Sequence, residues 1–140
     1  VDNADVALLA ALCPVCHQTM SLVARHLEAN GIPTVVVGTA RDVVEHCGVP
    51  RFVFSDFPLG NPCGHPWDNE MQAEIVASAL RLIETASHSR TSIQTPFAWK
   101  DDPGWRQRYA RVRPEDRERL LAIGDARRIE RGQPPRKPQS

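Results

Sequence analysis

The chain lacks any apolar run able to cross a membrane: its longest, Val6 to Pro14 with Asp5 ahead of it, falls well short of the roughly 20 residues a bilayer span needs. No secretory signal is expected either. Asp2 and Asp5 stand where a basic segment would be, and nothing resembling a cleavage site follows the apolar stretch, so a cytoplasmic location is the expectation. There are no internal repeats, which excludes a solenoid or array. Net charge is absent by formal count (+0), and aromatic residues make up only 6%.

What is present fits one soluble-type α/β domain. The chain has 140 residues, 41% hydrophobic and 24% charged, values close to the globular average that argue against wholesale disorder. The charge is unevenly shared: residues 1–99 carry a net −5 and residues 100–140 a net +5. The basic segment reads as a solvated helix laced with opposite charges, such as Glu115, Asp116 and Arg119. It lacks the interleaved aromatics on which single-strand binders stack bases, which argues against nucleic acid.

Hydrophobic patterning sets out the elements. Asp5–Leu12 is a continuous apolar run closed by Cys13-Pro14, as in a strand buried on both faces. From Gln18 to Ala29, the residues Met20, Val23, Ala24 and Leu27 recur at helical spacing, with Asn30-Gly31 as the stop. Thr34–Val37 is a β-branched run and reads as a second central strand. Thr39 offers an N-cap for a short helix ending near Cys47 and Gly48, and Arg51–Phe54 gives a third strand. Residues 58–66 are too rich in Pro and Gly for a regular element. Asp68 then caps a helix whose apolar face is Met71, Ile75, Ala79, Leu82, Ile83 and Ala86.

This alternation predicts a three-layer, Rossmann-like parallel sheet over residues 1–87 with right-handed crossovers. An irregular segment and a charged helix opened by Pro114 follow over 88–131, and 132–140 reads as a disordered tail.

Four cysteines stand at 13, 16, 47 and 63. A chain with a normal hydrophobic share needs no disulfide scaffold, and in a reducing compartment a Cys-x-x-Cys pair points to redox catalysis or metal binding. If the first strand hands over to its helix near Cys13, that thiol lies at the C-terminal edge of the sheet, where open α/β folds place their chemistry. It would also sit at a helix N-terminus, whose free N–H groups and dipole lower a thiol pKa below about 8.5. Cys13 is then the nucleophile. Cys16, one turn on, resolves a mixed disulfide, and Pro14 is tolerated in the first turn. His17 is a candidate to stabilise the thiolate or move a proton. Cys63, in the loop Gly60–Pro66, is a candidate third thiol folding over the same edge with His65, whereas Cys47 reads as packing.

The run Leu9 to Thr19, centred on Cys-Pro-Val-Cys-His-Gln-Thr, resembles the selenoprotein B family, meaning component B of glycine, sarcosine and betaine reductases together with the related D-proline reductase subunit. The likeness extends through Gly31–Thr34, Thr39–Asp42 and Phe57–Pro62 and covers roughly residues 5–100. In that family the first position of the motif is often a selenocysteine that attacks the substrate. The resemblance therefore implies a nucleophile or redox centre at Cys13 with Cys16 as its partner. It also implies a small amine or amino-acid substrate, a thioredoxin-like electron donor and further reductase subunits.

Other readings compete. The two cysteines are small hydrophobes that a core could simply bury. Cys13, Cys16, Cys63 and His65 have the residue types of a Cys₃His zinc set, although Cys-x-His is tighter than usual zinc spacing. Cys13-Pro-Val-Cys16-His17 satisfies the haem-attachment pattern, but attachment of that kind accompanies export and a helical shell, so no cofactor is expected. A non-catalytic, redox-sensing partner subunit would dock through residues 100–140, using its arginines with Trp99 and Trp105 as anchors.

Overall fold

The computed structural model describes residues 4–99, 104–109 and 111–134. Its elements run β1 (Ala7–Ala10), α1 (Pro14–Ala29), β2 (Thr34–Gly38), α2 (Arg41–Cys47), β3 (Arg51–Phe54), α3 (Asn69–Thr85), β4 (Thr91–Gln94), α4 (Trp105–Arg108) and α5 (Pro114–Glu130). The four strands form one all-parallel sheet in the order β1-β2-β3-β4. This is the three-layer α/β arrangement that the patterning predicts.

Strand alternation decides which side chains meet which helix. Val35, Val37 and Val53 point to one face and pack with Phe57, Met71, Ile75, Ala79 and Leu82, so α3 covers that side. Val36 and Phe52 point to the other and pack with Ala24 of α1, Val44 of α2 and Val49. All five residues of β2 are buried, as a β-branched run without polar interruption requires. Burying a Val or Phe side chain stabilises the fold by roughly 1.5–3 kcal/mol, so β2 and β3 are its main apolar anchor.

Several expectations are corrected. β1 is an edge strand, paired only with β2 and half-buried, and its ladder covers four residues, because past Ala10 the chain turns away toward α1. The strands advance across the sheet in one direction while α1 and α2 lie on one face and α3 on the other. The β3–α3–β4 connection therefore has the opposite hand to the first two, and the crossovers are not all right-handed. The loop 55–68 makes this passage possible, with Phe57 buried on the α3 side. The sheet continues beyond residue 87 to a fourth strand, β4, in the stretch expected to be irregular.

Helix ends follow their local chemistry. Asp68 caps α3, its carboxylate accepting from the Met71 N–H at 3.0 Å. Gly48, with φ +73°, closes α2 in the left-handed conformation. The N-cap of α2 is Ala40 rather than Thr39, and it makes no side-chain capping bond.

Two compact units divide the chain, residues 1–106 and 107–140. In the second, α5 has no buried residue and carries an Arg119–Asp116 pair one turn apart, consistent with a solvated charged helix. Of the tail expected over 132–140, residues 135–140 lie outside the described residues. Among the described residues, no helix is long and apolar enough to cross a membrane.

Candidate redox site

After β1 the chain makes one more sheet bond, Ala11 N–H to the Val37 carbonyl at 2.9 Å, and enters α1 through Cys13. Cys13 is the N-cap residue, extended at φ −119° and ψ 166°, and Pro14 follows inside the first turn, where a missing N–H costs nothing. The Cys13 Sγ accepts from the Cys16 backbone N–H at 3.2 Å, so the sulfur occupies the place of a capping oxygen. Cys13 is exposed and Cys16 half-buried. The two are joined as a disulfide, with Cα atoms 4.9 Å apart. No acidic residue stands in the first turn of α1, so nothing there opposes the helix N-terminus in favouring negative charge on Cys13. Leu12 and Val15, 54% and 70% exposed, frame the sulfurs with apolar surface.

His17 lies beneath, fully buried. Its Nε2 accepts two backbone N–H bonds, from Thr39 at 2.9 Å and Ala40 at 3.1 Å, and its Nδ1 lies 2.7 Å from the Cys13 carbonyl oxygen. Two donors at Nε2 leave the ring proton on Nδ1, so the neutral imidazole donates to Cys13. Both nitrogens are engaged and neither faces solvent. The ring fits only because residue 38 is glycine: a Cβ there would come within 2.8 Å of His17 Cδ2 and Nε2. Gly38 and the Thr39 and Ala40 amides are partners that sequence reasoning missed. The available signal was a glycine ending an otherwise β-branched strand, which often marks a close approach.

The other strands end nearby along the same edge. Ser55 and Thr95 are buried after β3 and β4, with Thr95 Oγ1 donating to Ser55 Oγ at 3.4 Å. Asp56 pairs with Arg106.

Cys63 is drawn elsewhere. It packs on the α3-side core cluster, and burial pushes its thiol pKa up, which suits a packing residue better than a nucleophile. His65 stacks on Trp99, with centroids 3.7 Å apart and planes 22° from parallel, and Phe57 lies 5.4 Å from the same indole. Among the described residues, no three of His, Cys, Asp and Glu form a group that could hold a metal, so the set Cys13, Cys16, Cys63 and His65 does not converge. The physical reason is that the core claims Cys63 and the indole claims His65. His17, the axial ligand of the haem pattern, is enclosed by backbone donors. Cys47 is half-buried, and its carbonyl accepts from Arg25 Nη1 at 3.0 Å.

Comparison with known proteins gives one informative likeness. Over 98 residues, 70% of this chain, the sequence is 36% identical to the D-proline reductase subunit gamma of Acetoanaerobium sticklandii. The chain is similar to a reductase subunit. It spans 40% of the length of that relative. No family model matches, and no solved structure matches. A reductase-type subunit is thus the class to which the likeness points.

Proposed function

We propose that this protein is a thiol-dependent oxidoreductase, acting as a reductase subunit of the D-proline and glycine reductase type in the cytoplasm, with Cys13 as nucleophile and Cys16 as resolving thiol. The observation that carries the reading is the capping geometry: an exposed sulfur at the N-terminus of α1 with its partner bonded to it from one turn inside. Helix N-termini favour thiolate over thiol, and a thiolate is the attacking species in thiol–disulfide exchange.

The electron balance is simple. Reduction of a small amine or amino acid takes two electrons and two protons; the Cys13–Cys16 dithiol supplies them as it closes to the disulfide. A thioredoxin-like dithiol then opens that bond, becoming a disulfide itself. Companion subunits would hold the substrate, since the relative it resembles is named as one subunit of a reductase. D-proline is the first substrate to test, on the strength of that relative's name.

The reading is tested by equilibrating the protein in glutathione buffers, trapping free thiols with an alkylating reagent and locating them by mass spectrometry. Wild type is expected to interconvert dithiol and disulfide at residues 13 and 16, with the reduced Cys13 titrating below about 8.5. Cys13→Ser should abolish both. Two ordinary thiols that never pair would defeat the proposal.

A further inference from the structure

We infer that His17 is a positioning residue for the redox pair, a neutral bridge that holds Cys13 in its bonding geometry and takes no proton during the reaction. The inference rests on the redox reading above and goes beyond it by assigning how the pair is kept in register.

The bridge has two ends. On one side the Nδ1–H and the His17 backbone N–H, at 2.7 and 2.9 Å, both end on the Cys13 carbonyl and use its two lone pairs. On the other side Nε2 is held by the Thr39 and Ala40 amides at the end of β2. The carbonyl of the nucleophile's own residue is thus tied to the centre of the sheet through a ring that is 0% exposed. Nε2 already accepts from two backbone amides and Nδ1–H already donates to a carbonyl, so neither nitrogen is left to meet a thiol.

The function of such a bridge lies in the reduced state. With the disulfide open, Cys13 would be free to rotate away from Cys16, and fixing its backbone removes that freedom in advance. Closure is then favoured because less conformational entropy is lost on forming the bond. Gly38 leaves room for the ring, and Thr39 and Ala40 fix its height above the sheet.

Two variants separate the ends of the bridge. His17→Asn keeps a short side-chain donor near the Cys13 carbonyl but does not reach Thr39. His17→Gln reaches toward Thr39 and Ala40 with its amide oxygen but leaves the Cys13 carbonyl without its side-chain donor. The measurement is the equilibrium constant for Cys13–Cys16 disulfide formation against glutathione, with urea stability taken in parallel. For His17→Gln it should fall roughly five- to tenfold, the factor carried by one hydrogen bond of ordinary net strength. For His17→Asn, which cuts the bridge at its Thr39 and Ala40 end, it should fall by a comparable factor, and stability should drop as well. The pH profile of Cys13 alkylation in the wild type should show a single thiolate ionisation, unchanged in form in His17→Gln. A second, histidine-linked step that vanishes in the variant would overturn the inference, as would equal redox constants in all three proteins. A wild type that never forms the disulfide would overturn the redox reading and this inference together; cycling that is insensitive to His17 would overturn this inference alone.

Discussion

Gly38→Ala should be among the most costly single-methyl changes in this protein, and its cost can be worked from the geometry. The added Cβ would stand 2.8 Å from two atoms of the His17 ring and 3.4 Å from Phe52 Cε2. Ordinary contact begins near 3.4 Å, so the ring must retreat by about 0.6 Å or the strand must shift. The ring has little room to retreat, because the Thr39 and Ala40 bonds at 2.9 and 3.1 Å would stretch beyond useful length. Overpacking of this kind costs about 1–3 kcal/mol, and weakening one buried hydrogen bond adds about 1–2 kcal/mol. Against that, replacing glycine in a strand at an ordinary backbone conformation recovers about 0.5–1 kcal/mol. The net expectation is a loss of about 1–4.5 kcal/mol. Urea unfolding at unchanged m-value measures it. The decisive control is the double-mutant cycle with His17→Ala: with the ring gone, the methyl should become nearly neutral, a coupling of about 2 kcal/mol or more. A Gly38→Ala loss below about 0.5 kcal/mol, or one that persists undiminished without His17, would refute the packing argument.

Three further outcomes follow from the remaining polar groups. Cys63, whose thiol pKa is raised by burial, should alkylate far more slowly at neutral pH than reduced Cys13; mass mapping of singly modified protein decides this, and faster labelling at Cys63 would count against its place in the core. The sign of its pH dependence follows from linkage: the fold retains the Cys63 proton better than the unfolded chain, so this contribution is fully present below the ordinary thiol range near about 8.5 and is lost as pH rises through the elevated value. Stability measured in a Cys63→Ala background should lose that alkaline component. At the opposite edge of the sheet, Glu28 Oε1 accepts from the Thr34 N–H at 2.5 Å, the Thr34 hydroxyl at 3.2 Å and Arg51 Nη1 at 2.6 Å. Glu28→Ala should cost about 2–4 kcal/mol, because it strands a buried N–H and a largely buried guanidinium, while Glu28→Gln should recover roughly half; thermal unfolding of the two variants tests the order.

Much of the scaffold was legible before any coordinates. The unbroken β-branched run Thr34–Val37 could only be a strand buried on both faces, and Met71, Ile75, Ala79 and Leu82 at helical spacing are the residues that α3 buries. β4 escaped notice because Thr91-Ser-Ile-Gln offers one strongly apolar side chain; its place comes from backbone pairing with β3, a contact made forty residues along the chain from the Phe52–Ser92 register. The opposite hand of the last crossover was equally hidden, since no local pattern states to which face a helix will return.

The candidate site divides in the same way. Spacing and Pro14 alone placed Cys13 and Cys16 at a helix start, because capping and first-turn rules act over a few consecutive residues and are written in the chain itself. Whether Cys63 and His65 would join them, and what His17 would touch, depended on partners far off in sequence: the core took Cys63, Trp99 took His65, and the amides of Thr39 and Ala40, 22 and 23 positions away, took His17. Local chemistry determined that a cysteine pair stands at the start of α1; only the packing of the sheet against its helices decided which neighbours it has, since side chains that meet through a core leave no periodic trace in the order of residues.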